Sequence, residues 1–233
     1  MDPVIEPLGE HALLVRMGTR IDAAVNDRVH ALCRGLRAAR MTQIEDLVPA
    51  YASVLVRLAP STPASGVAQV ADCVRGLLER MPVDAPAPDS VLHRIPVCYG
   101  GTCGPDMAHV EAVTGLSRER VVELHAAVEY RVAMIGFAPG FAYLLGLDER
   151  LHVPRREHPR TRVPRGSVAI GGAQTGVYPA ELPGGWQLIG RTLEVLFERA
   201  DPLNPCRLAP GDRVRFEPVD EATLHKLQEG THT

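Results

Sequence analysis

Ser167-Val168-Ala169-Ile170-Gly171-Gly172-Ala173-Gln174-Thr175-Gly176 sets a short apolar run against a glycine-rich turn. Pro183-Gly184-Gly185-Trp186-Gln187-Leu188-Ile189-Gly190-Arg191 then places a turn ahead of a second such run. Runs this short, bounded by Gly and Pro, read as buried strands rather than helices. Working outward, Tyr130 to Ile135, Leu193 to Phe197 and Arg213 to Glu217 carry the same signature. Several short strands with regular turn signals predict a closed or sandwiched β structure from Val128 onward. The connecting turns should present backbone amides and polar side chains at a surface cleft, so the candidate site lies between Ile135 and Arg191.

Upstream the pattern differs. Leu13 to Arg16 reads as a strand, and Asp22 is placed to cap a helix whose Val25, Val29, Leu32 and Leu36 follow helical spacing. Ile44 to Val48 and Ser53 to Leu58 read as two further strands, followed from about Ser65 by a helix with Val67, Val70, Val74, Leu77, Leu78 and Met81 on one face. A strand from Arg94 to Val97 would close this order into a split βαβ, or ferredoxin-like, unit. Pro82-Val83-Asp84-Ala85-Pro86-Ala87-Pro88-Asp89 reads as a linker. Beyond the Tyr99-Gly100-Gly101 turn, Pro105 suits the start of a short helix through Val113, and Ser117 the cap of another ending near Ala126. The expected layout is α+β: a ferredoxin-like domain over residues 1–85, a β-barrel domain over 93–219 and a tail over 220–233.

The 233 residues are 45% hydrophobic and 23% charged, enough apolar side chain for a normal core and too much for a disordered chain. A formal charge of -3 offers no overall footprint for nucleic acid. The opening Met1-Asp2-Pro3-Val4-Ile5-Glu6-Pro7 lacks the basic flank and apolar core of a signal peptide, and no apolar run reaches the roughly 20 residues of a membrane span, so a cytoplasmic location is expected. Five scattered cysteines, Cys33, Cys73, Cys98, Cys103 and Cys206, argue against a disulfide framework and for reduced, mostly buried thiols. Cys98 and Cys103 form half of a metal-ligand pattern whose other half is missing, so no metal site is expected.

Arg155, Arg156, Arg160, Arg162 and Arg165 share the segment from Val153 to Gly166 with one acid, Glu157, and with Pro154, Pro159 and Pro164. Planar guanidinium forks on a stiff backbone suit a carboxylate or phosphate. The competing reading is a solvated loop whose arginines pair with surface acids. Gly171 and Gly172 open a turn whose amides could form an anion nest, with Gln174 and Thr175 adding side-chain donors and Tyr178 a hydroxyl. A plain hairpin connection is the alternative. Trp186 is the only tryptophan, suited to a ligand platform or to core packing. Phe137, Pro139 and Phe141 lie on a stretch too rich in Gly and Pro for a regular strand, and suit a pocket wall or an interface with another protein. His125 reads as a helix-end cation, His152 and His158 as surface residues.

Ile135-Gly136-Phe137-Ala138-Pro139-Gly140-Phe141-Ala142-Tyr143-Leu144, Val163-Pro164-Arg165-Gly166-Ser167-Val168, Gly176-Val177-Tyr178-Pro179 and Gly185-Trp186-Gln187-Leu188-Ile189-Gly190-Arg191-Thr192 together resemble the carboxyltransferase-domain subunit 1 family. Its members include the B subunit of bacterial 5-oxoprolinase, proteins once called allophanate hydrolase subunit 1, and an inhibitor of a sporulation histidine kinase. The resemblance implies a cyclophilin-like barrel after the ferredoxin-like domain. It also implies a component of an ATP-dependent 5-oxoprolinase, acting with the A and C subunits to open the lactam 5-oxo-L-proline to L-glutamate, with ATP and magnesium held in a site shared with those partners. In that role Arg160 would meet the substrate carboxylate or phosphate, Gly171 and Gly172 would support an oxyanion, Trp186 would line the substrate site, and Gln174, Thr175 and Tyr178 would act at the reacting group. The same resemblance admits a regulatory protein that inhibits a histidine kinase, or a component of another amide- or urea-processing hydrolase.

Overall fold

Leu13, Val15, Val54, Val56 and Leu58 alternate with less buried neighbours along two strands, and the first part of the chain is built on the face they make. The computed structural model describes residues 2–81, 90–201 and 203–230, and divides into two compact units, Met1–Ser90 and Val91–Thr233. In the first unit β1 (Val4–Pro7), β2 (Ala12–Arg16), β4 (Ser53–Leu58) and β3 (Ile44–Pro49) lie side by side in that order, each neighbouring pair antiparallel. Helices α1 (Ala23–Ala39) and α2 (Ala64–Arg80) contribute Val29, Leu32, Leu36, Val70 and Val74 to the core under this sheet. Asp22 caps α1 by accepting the Val25 amide at 3.0 Å, as its place in the sequence predicts.

The strand expected to close this sheet belongs elsewhere. Residues 94–97 fall inside β5 (Leu92–Tyr99), a strand of the second unit. The position beside β2 is filled instead by β1, whose two flanking prolines and Glu6 hide its strand signal. An edge strand tolerates Pro7 because one side of its ladder is unpaired. The sheet therefore keeps the ferredoxin-like arrangement with its outer strand drawn from the beginning of the chain. The expected linker, residues 82–89, lies outside the described residues.

The second unit is a closed barrel. Around the ring run β5, β12 (Gln187–Arg191), β9 (Ser167–Gly171), β10 (Gln174–Val177), β7 (Ala142–Leu145), β6 (Tyr130–Ile135) and β13 (Arg213–Pro218), which returns to β5. Only β13 and β5 pair in parallel, with Phe216 opposite Ile95; the other pairs are antiparallel. Closure leaves no unpaired edge. That is why Leu193 to Phe197, expected as a strand, makes only an isolated bridge from Phe197 to Cys206. Helices α3 (Met107–Thr114) and α4 (Arg118–Ala126) seat Met107, Val110, Val121 and Leu124 in the barrel core, and Ser117 caps α4 through the Arg120 amide. A separate ribbon pairs β8 (Arg160–Val163) with β11 (Leu182–Gly184). The segment expected as a tail forms α5 (Glu221–Gly230), held by a buried Leu224 and by Asp220 accepting the Thr223 amide.

Candidate functional site

The glycines of the opening stretch serve packing. Gly171 ends β9 and pairs with Gln174 across the two-residue turn Gly172-Ala173, so the hairpin reading holds. A Cβ on Gly171 would lie 2.6 Å from Cδ1 of Trp186, because the indole rests directly on this backbone. The Gly172 amide, expected to support an oxyanion, donates to the Val153 carbonyl at 2.7 Å and is not offered to a ligand. Trp186 is 5% exposed and packs edge-on against Phe141 and Tyr143, with centroids 5.6 and 6.0 Å away. It is a support within a small cluster that also holds Val163, Tyr178 and Leu188, rather than a platform open to a ligand.

On that support stands Arg155. Its guanidinium carbon lies 5.8 Å from the indole centroid, a cation–π arrangement, and its Nη2 donates to Gln174 Oε1 at 3.1 Å. Arg155 is exposed while Gln174 is buried, so the amide holds the cation from below. Phe137 stands at the rim of the same cluster, 59% exposed and edge-on to Phe141 at 5.4 Å. Its φ of 69° is a left-handed conformation rare for a bulky residue. The Ala138 amide donates to the Gly136 carbonyl and the Phe141 amide to the Ala138 carbonyl, holding the loop in that shape. Pro139 is exposed beside it and Phe141 is buried, so of the three only Phe141 is a wall residue.

Arg160 is engaged by a residue that no sequence motif marks. Asp106 sits at the N-cap position of α3 but caps nothing. Its carboxylate accepts both Arg160 Nη1 and Nη2 at 2.8 Å, Arg156 Nη1 at 3.2 Å and the Leu188 amide at 2.7 Å. Burial would raise this carboxyl's pKa, but the Arg160 fork, the Leu188 amide and the charge of Arg156 outweigh it and hold the group below its usual range. Arg160, expected to meet a substrate anion, has its fork closed by a buried acid in this structure. Arg156 Nε and Gln187 Oε1 beside it are buried with no partner among the described residues. The available signal was an acid directly after Pro105, and negative charge in the first turn of a helix has a use of its own.

Thr175 and His125 lie in the barrel interior, fully buried. The Thr175 hydroxyl donates to the Ala169 carbonyl at 3.0 Å and so accepts from His125 Nε2 at 2.9 Å. That leaves His125 Nδ1 as the acceptor for the Tyr99 hydroxyl at 2.7 Å. Every proton of this hydrogen-bonded series has a place, and the imidazole is neutral. Burial pushes its pKa down to about 3, which corrects the expected helix-end cation. Thr175 is correspondingly buried with its hydroxyl engaged by His125 and the Ala169 carbonyl. Tyr178 is buried too, its hydroxyl bonded by the Trp186 backbone and so close to Gly184 that a Cβ there would overlap it. The structure therefore gathers Gln174, Trp186, Phe141 and Phe137 on one face with Arg155, and directs Thr175, Tyr178 and Arg160 into packing and ion-pair roles.

Residues 3–208 match the family described as carboxyltransferase domain, subdomain C and D. The B subunit of 5-oxoprolinase from Escherichia coli O157:H7 is 44% identical over 214 residues, covering 92% of this chain and 95% of that protein. The corresponding B subunit of 5-oxoprolinase from Bacillus subtilis strain 168 is 38% identical over 233 residues, covering 97% and 96%. Among solved structures, TTHA0988 superposes with a TM-score of 0.77 at 34% identity, over 90% of this chain. The present chain spans 40% of that protein's length.

Proposed function

Because the chain belongs to the carboxyltransferase-domain family of subdomains C and D, we propose that it acts as the B subunit of an ATP-dependent 5-oxoprolinase, opening 5-oxo-L-proline to L-glutamate together with the A and C subunits. The observation that carries this reading is the end-to-end match, across both units, to two proteins that bear the name of that subunit. A lactam carbonyl is a poor electrophile, and bound ATP with magnesium supplies the phosphoryl group that turns its oxygen into a leaving group. The sequence has no Walker loop, and the nucleotide site in this reading is one that this chain shares with the partner subunits.

This chain's own contribution is to bind and orient the organic acid. Arg155 takes the role first expected of Arg160: it is exposed, no carboxylate among the described residues closes its fork, and Gln174 and Trp186 hold it in place. A guanidinium so supported meets a substrate carboxylate with little freedom left to lose. Phe137 and Pro139, exposed at the rim, serve as the anchor for a partner protein.

The test is ATP-dependent release of L-glutamate from 5-oxo-L-proline by this chain reconstituted with candidate A and C subunits, against a mixture lacking it. Glutamate appears only in the complete mixture, and Arg155→Met lowers kcat/KM by about tenfold to a hundredfold, the range for a lost hydrogen bond to a charged group. Equal glutamate release without this chain would overturn the assignment.

A further inference from the structure

Two of the five cysteines meet in the fold. Cys98, near the end of β5, and Cys103, in the following turn, share one small buried cluster with Leu224 of α5, flanked by Leu193 and Val219. Both side chains are largely buried and both thiols are free. The reversal that brings Cys103 back beside Cys98 is made by Gly100 and Gly101, each with positive φ, and is closed by the Gly104 amide on the Gly100 carbonyl. Cys103 thereby packs beside Cys98, and burial together with its presence raises the Cys98 thiol's pKa. Between the two cysteines, Thr102 donates its hydroxyl to Glu221 at 3.3 Å, tying the turn to the first residue of α5.

From this arrangement we infer that Cys98 and Cys103 form a reversible thiol–disulfide pair guarded by α5. The oxidant is a small-molecule disulfide. One cysteine thiolate attacks a sulfur of that disulfide and expels the first small thiolate. The second cysteine, giving up its proton, then attacks the mixed disulfide, displaces the other small thiol and closes the Cys98–Cys103 bond. Two protein thiols are oxidised, one small disulfide is reduced to two small thiols, and the protons pass to those leaving groups.

The guard works on both access and acidity. Leu224 covers the pair, and burial, the neighbouring Cys103 and the acids Glu221 and Asp220 hold the Cys98 thiol well above its ordinary pKa. The thiolate is the attacking species, so the docked helix keeps the pair slow to react. Lifting α5 removes the cover and the two acids together. Oxidation therefore reports on α5, and a partner that displaces α5 would expose the pair.

The experiment exposes the full chain to oxidised glutathione at pH 8, followed by thiol counting after denaturation and peptide mapping by mass spectrometry. Wild type is expected to lose two thiols, recovered in one Cys98–Cys103 cross-link that dithiothreitol reverses. Cys98→Ser and Cys103→Ser each stop at a mixed glutathione adduct. Thr102→Val, which unties the turn from α5, accelerates oxidation about fivefold, the population change expected from removing one hydrogen bond. Five intact thiols after prolonged exposure of both wild type and Thr102→Val, or a cross-link between other cysteines, would sink the pairing. An unchanged rate in Thr102→Val with the cross-link present would remove the guard by α5.

Discussion

His125 gives the barrel a specific sensitivity to acid. Its two ring nitrogens are fully used, Nδ1 by the Tyr99 hydroxyl and Nε2 by Thr175, and the ring stacks on Phe216 with centroids 4.7 Å apart. A second ring proton would face a hydroxyl that is already donating, and its charge would be buried. The folded chain therefore keeps the imidazole neutral down to about pH 3, whereas an unfolded histidine takes up a proton near pH 6.5. Between those values the unfolded state binds the extra proton, so this contribution to stability is fully present above about pH 6.5 and is lost as the pH falls. The loss is about 1.4 kcal/mol per pH unit, hence about 2 kcal/mol at pH 5. Urea unfolding followed by the emission of Trp186, the only tryptophan and a residue of the second unit, reads the barrel. His125→Gln retains an amide donor and acceptor but cannot titrate. Between pH 7.5 and pH 5 wild type should lose about 2 kcal/mol more than this variant, a difference of roughly 1 M urea in midpoint at ordinary slopes. Parallel pH dependences for the two proteins would refute the neutral, buried histidine and the proton order deduced for the Tyr99–His125–Thr175 series.

Replacing Asp106 with Ala leaves Arg160, Arg156 and the Leu188 amide without their shared acceptor, and thermal or urea unfolding at Trp186 should show a loss of about 3–5 kcal/mol. Because the Asp106 carboxyl is held below its usual range, its share of stability is present above about pH 4 and disappears on further acidification; the Ala variant should lack that acid limb. Gly171→Ala drives a methyl into the indole, costing about 1–3 kcal/mol and shifting Trp186 emission to longer wavelength as the ring is displaced. Phe137→Ala should change stability by less than about 1 kcal/mol, since most of the ring is exposed, yet calorimetry should show capture of the C or A partner weakened tenfold or more.

Local signals carried much of the architecture. Asp22 and Ser117 are caps because a short oxygen-bearing side chain before an apolar helical stripe has one favourable use, and both make the expected amide contact. The strands 130–135 and 213–217 were visible because apolar runs bounded by turn residues have few other fates. By contrast β1 and β7, wrapped in Pro and Gly, became strands only because a neighbouring strand offered a ladder. Leu193 to Phe197 failed to become one because the ring was already full.

The site divides in the same way. Residue types and the family resemblance together marked the segment from Ile135 to Arg191 as the candidate site and named Arg160, Gln174 and Trp186 within it. They could not say which arginine is offered outward, because that depends on Asp106, 54 residues before Arg160, closing a fork that only the folded chain brings within reach. Nor could they separate Thr175, directed into the barrel and hydrogen-bonded to His125, from Gln174, one residue earlier and bonded to the exposed Arg155. Adjacent residues of a strand point to opposite faces, so their chemistry is set by what each face meets. Composition and periodicity determine which side chains are present and which elements form; the tertiary structure decides which charges are cancelled and which remain to bind.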